Sequence, residues 1–334
     1  MTPFTYQRAG SIDQALQATG ATFLAGGTNL VDLMKENVTR PDRLIDISGL
    51  PLKGIEALPA GGLRLGALAT NADTAWHPSV ETHYPLLASA ILAGASPQLR
   101  NAATNGGNLL QRTRCLYFYD TAAPCNKRQP QSGCGALGGL NRNLAILGAS
   151  DQCIATHPSD MCVALRALDA MINVQGAQGT RIIPIADFHR LPGADPSKDS
   201  TLRADELVTS IDLPPDTFRT HYTYLKLRDR LSYAFALVSV AVAMKIVDGA
   251  LTDVRVALGG VAHKPWRVEN AEKELLGRAP DTGAFKSFAE KVLEGAVGQG
   301  QNDFKIELAK RAIVRALGQA AAGIPQSQIR KSVA

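Results

Sequence analysis

Residues 21–30 read ATFLAGGTNL, and residues 99–109 read LRNAATNGGNL. Each stretch places a glycine pair where the chain turns into an apolar, helix-like run. ATFLAGG reads as a strand entering a glycine turn, and TNLVDLMKEN as a helix with Leu30, Leu33 and Met34 on one face. Glycine has no Cβ barrier, so backbone N–H groups can close on a diphosphate, and a helix start adds its positive end. Thr28, Asn29, Thr104 and Asn108 flank the pairs with short hydrogen-bonding side chains. A plain strand-to-helix turn uses the same residue types. Two matching turns in one chain weaken that bland reading without removing it.

Outward from these turns, the chain alternates strands and helices. Ser11 and Gln14 form a capping box for a helix that turns Ile12, Ala15, Leu16 and Thr19 inward. RLIDIS and GLRLGALAT read as strands, and HYPLLASAILAGA as a helix. A helix over SDMCVALRALDAMI brings Met161, Leu165, Leu168 and Ile172 onto one face. Strands resume at RIIPIADF and ELVTSIDL. LPPDTFRTH is turn-rich and polar, which marks a domain boundary. Beyond it, YTYLKLRD, FALVSVAVAMKI and DVRVALGGVAH predict an antiparallel meander, followed by two helices. The division is therefore residues 1–215, residues 216–325 as a smaller α+β domain, and a loose tail at 326–334.

Composition excludes several classes. The net charge of +5 is spread over scattered Lys and Arg residues, which argues against a nucleic-acid stripe or a polybasic membrane anchor. No run of 18 apolar residues predicts a membrane span. The opening MTPFTYQRAGSIDQAL has neither an apolar h-region nor a small-residue cleavage site, so no export signal is expected.

All five cysteines fall within one window, at Cys115, Cys125, Cys134, Cys153 and Cys162. The odd count prevents complete internal pairing. The gaps between the first four are nine, eight and eighteen residues, with no C-x-x-C, so neither a zinc ribbon nor a thioredoxin motif fits. The run from Cys115 to Cys134 has little apolar periodicity and requires a staple. Four thiolates on a [4Fe–4S] cube, four on zinc, or free buried thiols all fit this spacing. Five cations (Arg112, Arg114, Lys127, Arg128, Arg142) face only Asp120 and Asp151 in this window, an excess that would offset a thiolate-ligated cluster. Cys162 sits inside a regular helix, where a free Cys acts as a small apolar residue. It is excluded as a ligand.

The motifs AGGTNL, LRNAATNGGNL and HPSDM, in this order, resemble the FAD-binding medium subunits of the molybdenum hydroxylases, the xanthine dehydrogenase and carbon monoxide dehydrogenase family. The resemblance spans nearly the whole chain and includes LGGVAHKPWR near the end. It implies an α+β fold: a two-lobed, vanillyl-alcohol-oxidase-like (PCMH-type) FAD-binding domain followed by a smaller α+β domain. Most members have only a short link where this chain carries an insertion at about 111–157. The insertion is similar to that of bacterial periplasmic aldehyde oxidoreductases, a branch of the family with an extra [4Fe–4S] cluster. That similarity implies Cys115, Cys125, Cys134 and Cys153 as its ligands.

The family's roles carry over by position. Ala25, Gly26, Gly27, Thr28, Asn29 and Leu30, with Thr104, Gly106, Gly107 and Asn108, match the segments that hold the FAD pyrophosphate. Asp160 matches an acidic residue near the ribityl and ribose region, although Ser159-Asp160 could simply cap a helix. Lys226 matches a lysine near the flavin, or is a surface strand residue. Tyr233 covers a flavin face or belongs to the core. AHKPWR reads as a loop that docks a neighbour. The resemblance further implies a large molybdenum-cofactor subunit and a small [2Fe–2S] subunit as partners. Electrons would leave through FAD to oxygen, a quinone or a redox protein. No residue is expected to act as a catalytic acid or base. A stand-alone flavin oxidase and a non-catalytic iron–sulfur or zinc module are the rival classes. The compartment is cytoplasmic by default, or periplasmic by co-export with a signal-bearing partner.

Overall fold

The computed structural model describes residues 1–215 and 218–328. Residues 216–217, at the expected boundary, and residues 329–334 of the expected tail lie outside the described residues. The chain enters through β1 (Thr5–Arg8), α1 (Ile12–Gln17), β2 (Thr22–Leu24), α2 (Leu30–Lys35) and β3 (Arg43–Asp46). These strands pair in parallel in the order β1-β3-β2, with a helix making each return. Ser11 caps α1 by accepting from the Gln14 N–H at 3.1 Å, and Gln14 accepts from the Gly10 N–H at 2.6 Å. Helix α1 stops at Gln17, so Thr19 is exposed rather than inward.

The second lobe comprises β4 (Ile55–Ala57), β5 (Leu63–Gly66), α3 (Asn71–Ala75), α4 (Pro78–His83), α5 (Pro85–Ala93), α6 (Pro97–Arg100), α7 (Asn105–Leu109), α8 (Leu116–Tyr119), α9 (Asp160–Ala167), β6 (Met171–Gly176), β7 (Gly179–Pro184), α10 (Ile185–Phe188) and β8 (Leu207–Leu213). Its antiparallel sheet runs β4-β5-β8-β6-β7. Leu87 and Ile91 of α5 and Leu165 of α9 share a core with Ile172 and Ile211 of this sheet. Helix α9 is shorter than expected: Asp169 adopts a φ of 52°, a conformation Asp tolerates better than most residues, and the chain turns into β6. Ile172 is therefore a buried strand residue, not part of the helix face.

The last domain contains β9 (Tyr222–Leu227), β10 (Val238–Val247), β11 (Ala250–Gly259), α11 (Glu269–Lys273), α12 (Thr282–Val292) and α13 (Phe304–Ala321), with the strands in the meander order β11-β10-β9. The period-2 pattern of β10 explains its place. Val238, Val240, Val242 and Met244 pack with α12 and α13, whereas the small Ala241 and Ala243 join the core of the second lobe. Buried on both faces, this sheet carries one core across the expected boundary. The start of the expected tail is not loose: Gln326 accepts from the Lys226 N–H at 3.1 Å, and Gln328 donates to the Tyr224 carbonyl at 3.1 Å. No helix among the described residues is long and apolar enough to cross a membrane.

The insertion is irregular apart from α8 and is ordered by side chains that clasp backbone. Arg128 donates to the Tyr117 and Phe118 carbonyls at 2.7 and 2.9 Å. The fully buried Lys305 of α13 donates to the Leu144 and Gly260 carbonyls at 2.7 and 2.6 Å. A G-x-G-x-x-G spacing at Gly133–Gly138 lies in this loop, with no strand before it and no helix after it, so it is not a dinucleotide fingerprint.

Candidate flavin cleft and thiol cluster

The two glycine turns meet in one cleft of about 420 Å³ between the lobes. Ala25, Gly26, Gly27, Thr28, Asn29, Leu30, Thr104, Gly106 and Gly107 all line it, over apolar side chains that include Phe23, Ile47, Leu68, Leu207 and Val208. The turns are in contact: a Cβ on Gly26 would lie 1.8 Å from the Ala102 carbonyl oxygen. Gly27 has a φ of 72°, the left-handed region that glycine enters freely.

The structure divides the roles of the two turns. The N–H groups of Gly27, Thr28 and Asn29 donate to no acceptor among the described residues, and the Asn29 Nδ2 is buried without a partner. In the second turn the amides are spent internally. The Gly106 N–H donates to the Ala67 carbonyl at 2.8 Å, and the Gly107 N–H to Thr104 Oγ1 at 3.2 Å. The second turn thus provides close approach, and the first provides unsatisfied donors. The three amides belong to half-buried residues that line the cleft, and only the Asn29 Nδ2 is a buried orphan; such a run of backbone donors in a concavity fits an anionic ligand such as the pyrophosphate of FAD.

Asn108, Asp160 and Lys226 do not line this cleft. Asn108 donates to Asn71 Oδ1 at 2.7 Å and accepts from Gln111 and Ser159 at 2.8 and 2.5 Å. Asp160 and Lys226 are brought to each other: Lys226 Nζ lies 2.7 Å from Asp160 Oδ2, and the Tyr224 hydroxyl donates to Asp160 Oδ1 at 2.6 Å. Ser159 does cap α9, accepting from the Cys162 N–H at 3.0 Å. Lys226 is buried, not a surface residue, and also donates to the Ala93 carbonyl at 3.1 Å. Removing one member of a buried pair leaves an uncompensated charge. Lys226→Met is therefore expected to cost about 3 kcal/mol in chemical denaturation of the flavin-loaded chain. Lys226→Met combined with Asp160→Asn should recover part of that loss. An unchanged midpoint in the single variant would show that the pair does not hold the two domains.

A second cleft, of about 300 Å³, is lined by Trp76, Leu92, Ala95, Ser96, Pro97, Arg100, Ser232, Tyr233 and Gln328. Segment 95–107 joins the two clefts, since Ser96 opens α6 at one and Ala102 meets Gly26 at the other. Tyr233 is 58% exposed with a φ of 50°, so it is not a core strand residue. Its selection from sequence as a flavin-covering candidate needed only the aromatic. Trp76 and Arg100 carried no motif, and only the fold brings them beside it.

Behind the first turn lies the thiol cluster. Cys115, Cys125, Cys134 and Cys153 share one core with Leu33 of α2, Phe118 and Ile154. Cys125 and Cys134 pair across a β-bridge. Burial pushes the Cys115 thiol up to about 11, whereas the hydrogen bond donated by Cys153 lowers Cys134. Three buried thiols and the half-buried Cys134, with no disulfide among them, fit a metal or cluster site. Cys162 lies apart, fully buried in α9 within the core of the second lobe. Its neighbours are His157 and His189, and the three could-be ligand atoms lie within 4.8 Å of one another. Burial holds His189 down at about 4 and His157 well below its ordinary value, so both imidazoles are neutral.

The local charge excess has partners that the window conceals. Arg112 and Lys127 both reach Asp199, at 2.7 and 2.5 Å, Arg114 reaches Asp32 at 2.8 Å, and Arg142 reaches Asp229 at 2.9 Å. Burial alone would raise Asp199, but Lys127 and Arg112 hold it down at about 2. AHKPWR is likewise used within the chain. Lys264 donates to the Ala186 carbonyl at 2.9 Å, Trp266 Nε1 to the Val292 carbonyl at 3.3 Å, and Arg267 pairs with Asp169 and Glu272.

A glycine-turn cleft between two lobes, followed by a three-stranded sheet backed by helices, is the architecture of a flavoprotein subunit. Residues 2–216 match the FAD-binding domain in molybdopterin dehydrogenase, and residues 222–320 match the CO dehydrogenase flavoprotein C-terminal domain. The chain belongs to this family of FAD-binding subunits of molybdenum hydroxylases. It is 50% identical to the aldehyde oxidoreductase FAD-binding subunit PaoB of Escherichia coli K12, over 96% of this chain and 99% of that one. It is 29% identical to the glyceraldehyde dehydrogenase medium chain of Sulfolobus acidocaldarius, over 86% of each. Its fold matches a carbon monoxide dehydrogenase from Hydrogenophaga pseudoflava with a TM-score of 0.75 at 26% identity, covering 96% of this chain and 98% of the other.

Proposed function

We propose that the chain is the electron-exit subunit of a molybdenum-dependent aldehyde oxidoreductase. In this reading it holds FAD at the glycine cleft and a [4Fe–4S] cluster on Cys115, Cys125, Cys134 and Cys153. The observation that carries it is the packing of three buried thiols and the half-buried Cys134 in one core with Leu33 of α2, the helix that continues the first glycine turn. The aldehyde substrate class rests on the 50% identity with the Escherichia coli subunit. Bound FAD supplies one- and two-electron redox chemistry, which the protein tunes and positions. The free amides of Gly27, Thr28 and Asn29 would face its pyrophosphate, and Gly106 and Gly107 would allow the close approach. Trp76, Arg100 and Tyr233 line the second cleft, which would take the flavin ring. Asp160 and Lys226 act from below, fixing the Ala93–Gly94 backbone: Lys226 bonds the Ala93 carbonyl, and Asp160 lies 3.0 Å from the position of a Cβ on Gly94.

The partners in this proposal are a large molybdenum-cofactor subunit, a small [2Fe–2S] subunit and an external acceptor. Co-export to the periplasm with a signal-bearing partner is part of the same reading. The test compares the purified chain with the co-expressed complex under anaerobic conditions. The chain alone should show flavin and iron absorbance that an aldehyde leaves unchanged. With both partners present, the aldehyde should bleach the flavin. Bleaching by the chain alone would make it a stand-alone flavin oxidase, and absence of flavin absorbance would reduce it to a metal module.

A further inference from the structure

His263 lies in the loop after β11, beside Lys264, Trp266 and Arg267, whose bonds within the chain are described above. Its side chain is buried, with Nε2 3.3 Å from Cys153 Sγ and Nδ1 without a partner. The loop that presents it is fixed by three successive carbonyls, each bonded from a different part of the chain. Gly260 accepts from Lys305 at 2.6 Å, Val261 from the Ile146 N–H at 2.9 Å, and Ala262 from the His157 N–H at 3.0 Å. The imidazole is thus placed by the C-terminal domain against a sulfur of the insertion.

We propose that His263 is a positioning residue of the iron–sulfur centre, donating its Nε2–H to the Cys153 sulfur and so raising the reduction potential of the cluster. This inference rests on the [4Fe–4S] reading above. A cysteine sulfur that ligates iron carries no hydrogen and can only accept. A neutral imidazole has a single N–H. Because Nδ1 meets no acceptor, that hydrogen belongs on Nε2, directed at the sulfur. Reduction adds negative charge that is shared over the ligand sulfurs, so the bond is stronger in the reduced state. Hydrogen bonds to sulfur are among the levers that set cluster potentials, and low-dielectric surroundings amplify them. The nearby Lys127 is balanced by Asp199 at 2.5 Å, and the His263 N–H adds a side-chain donor to the Ala155 backbone N–H that also bonds the Cys153 sulfur.

The test uses the full chain in its complex, with His263→Leu removing the donor and His263→Gln keeping an N–H at similar reach. Iron is counted first, and the cluster signal is then followed by paramagnetic resonance through a redox titration. Both variants should keep about four irons per chain. At a fixed ambient potential His263→Leu should lower the reduced-to-oxidised ratio about tenfold, equivalent to about 59 mV for one electron. His263→Gln should restore most of that difference, and the flavin midpoint should not move. An unchanged cluster midpoint in His263→Leu with full iron overturns the inference and leaves the cluster reading intact. Loss of iron from both variants also overturns it, because His263 would then hold the cluster rather than tune it. Absence of a four-iron signal from the unsubstituted chain overturns the cluster reading and this inference together.

Discussion

Cys125→Ser is expected to strip or convert the proposed four-iron centre, whereas Cys162→Ala should leave about four irons per chain. Cys125 sits in the core shared by the other three window thiols and Leu33, while Cys162 belongs to the separate core around α9. The consequence should extend to the flavin. The Arg112 N–H donates to Asn29 Oδ1 at 2.9 Å, and Arg114 and Tyr119 both bond Asp32 of α2, at 2.8 and 3.1 Å. Loss of the proposed cluster should loosen the thiol-bearing part of the 112–153 loop despite the Arg128 and Lys305 clasps, and with it the clamp on the first glycine turn. FAD affinity should fall roughly tenfold to a hundredfold, equivalent to about 1.4–2.8 kcal/mol. Excess FAD should then restore most of the turnover in the complex, as a chiefly structural cluster requires. Persistent failure of flavin reduction at full occupancy would place the cluster on the electron path. If Cys162→Ala empties the site and Cys153→Ala does not, the ligand set is wrong.

Gly107→Val should abolish FAD retention while leaving the iron absorbance largely intact. A Cβ at Gly107 meets only Thr104 Oγ1, at 3.0 Å, and otherwise projects into the cleft, so the added bulk acts on the ligand more than on the fold. Affinity should drop by three orders of magnitude or more, about 4 kcal/mol. Gly26→Val serves as the contrast. Its Cβ collides with the Ala102 carbonyl, so the two turns must separate and the fold should weaken as well. Flavin extraction and fluorescence quantify occupancy, and denaturation separates the two effects. Full occupancy in Gly107→Val would remove the glycine cleft as the flavin site.

Local pattern identified the elements that depend on local physics. The strand before Gly26, the capping box at Ser11, the meander from Tyr222 and the gathering of thiols are all written in neighbouring residues. Helix ends were less legible: Asp169 ends α9 through a single left-handed backbone, and the apolar spacing of Leu168 and Ile172 does not encode it. Charge was misleading when read in a window. Asp32, Asp199 and Asp229, which pair with Arg112, Arg114, Lys127 and Arg142 of the insertion, come from 46 or more positions outside the 111–153 window.

By itself, the sequence determined the two glycine turns, the cysteine set and the family to which they belong. Tertiary structure decided how the residues share the work. It left the amides of Gly27 to Asn29 free, spent those of Gly106 and Gly107 internally, and turned Asp160 and Lys226 toward each other. It also carried His263 to Cys153, 110 positions away in the chain. The physical reason is that a motif fixes residue types and backbone freedom. Whether a given N–H, carboxylate or imidazole remains available depends on which distant groups the packed core brings within hydrogen-bond reach.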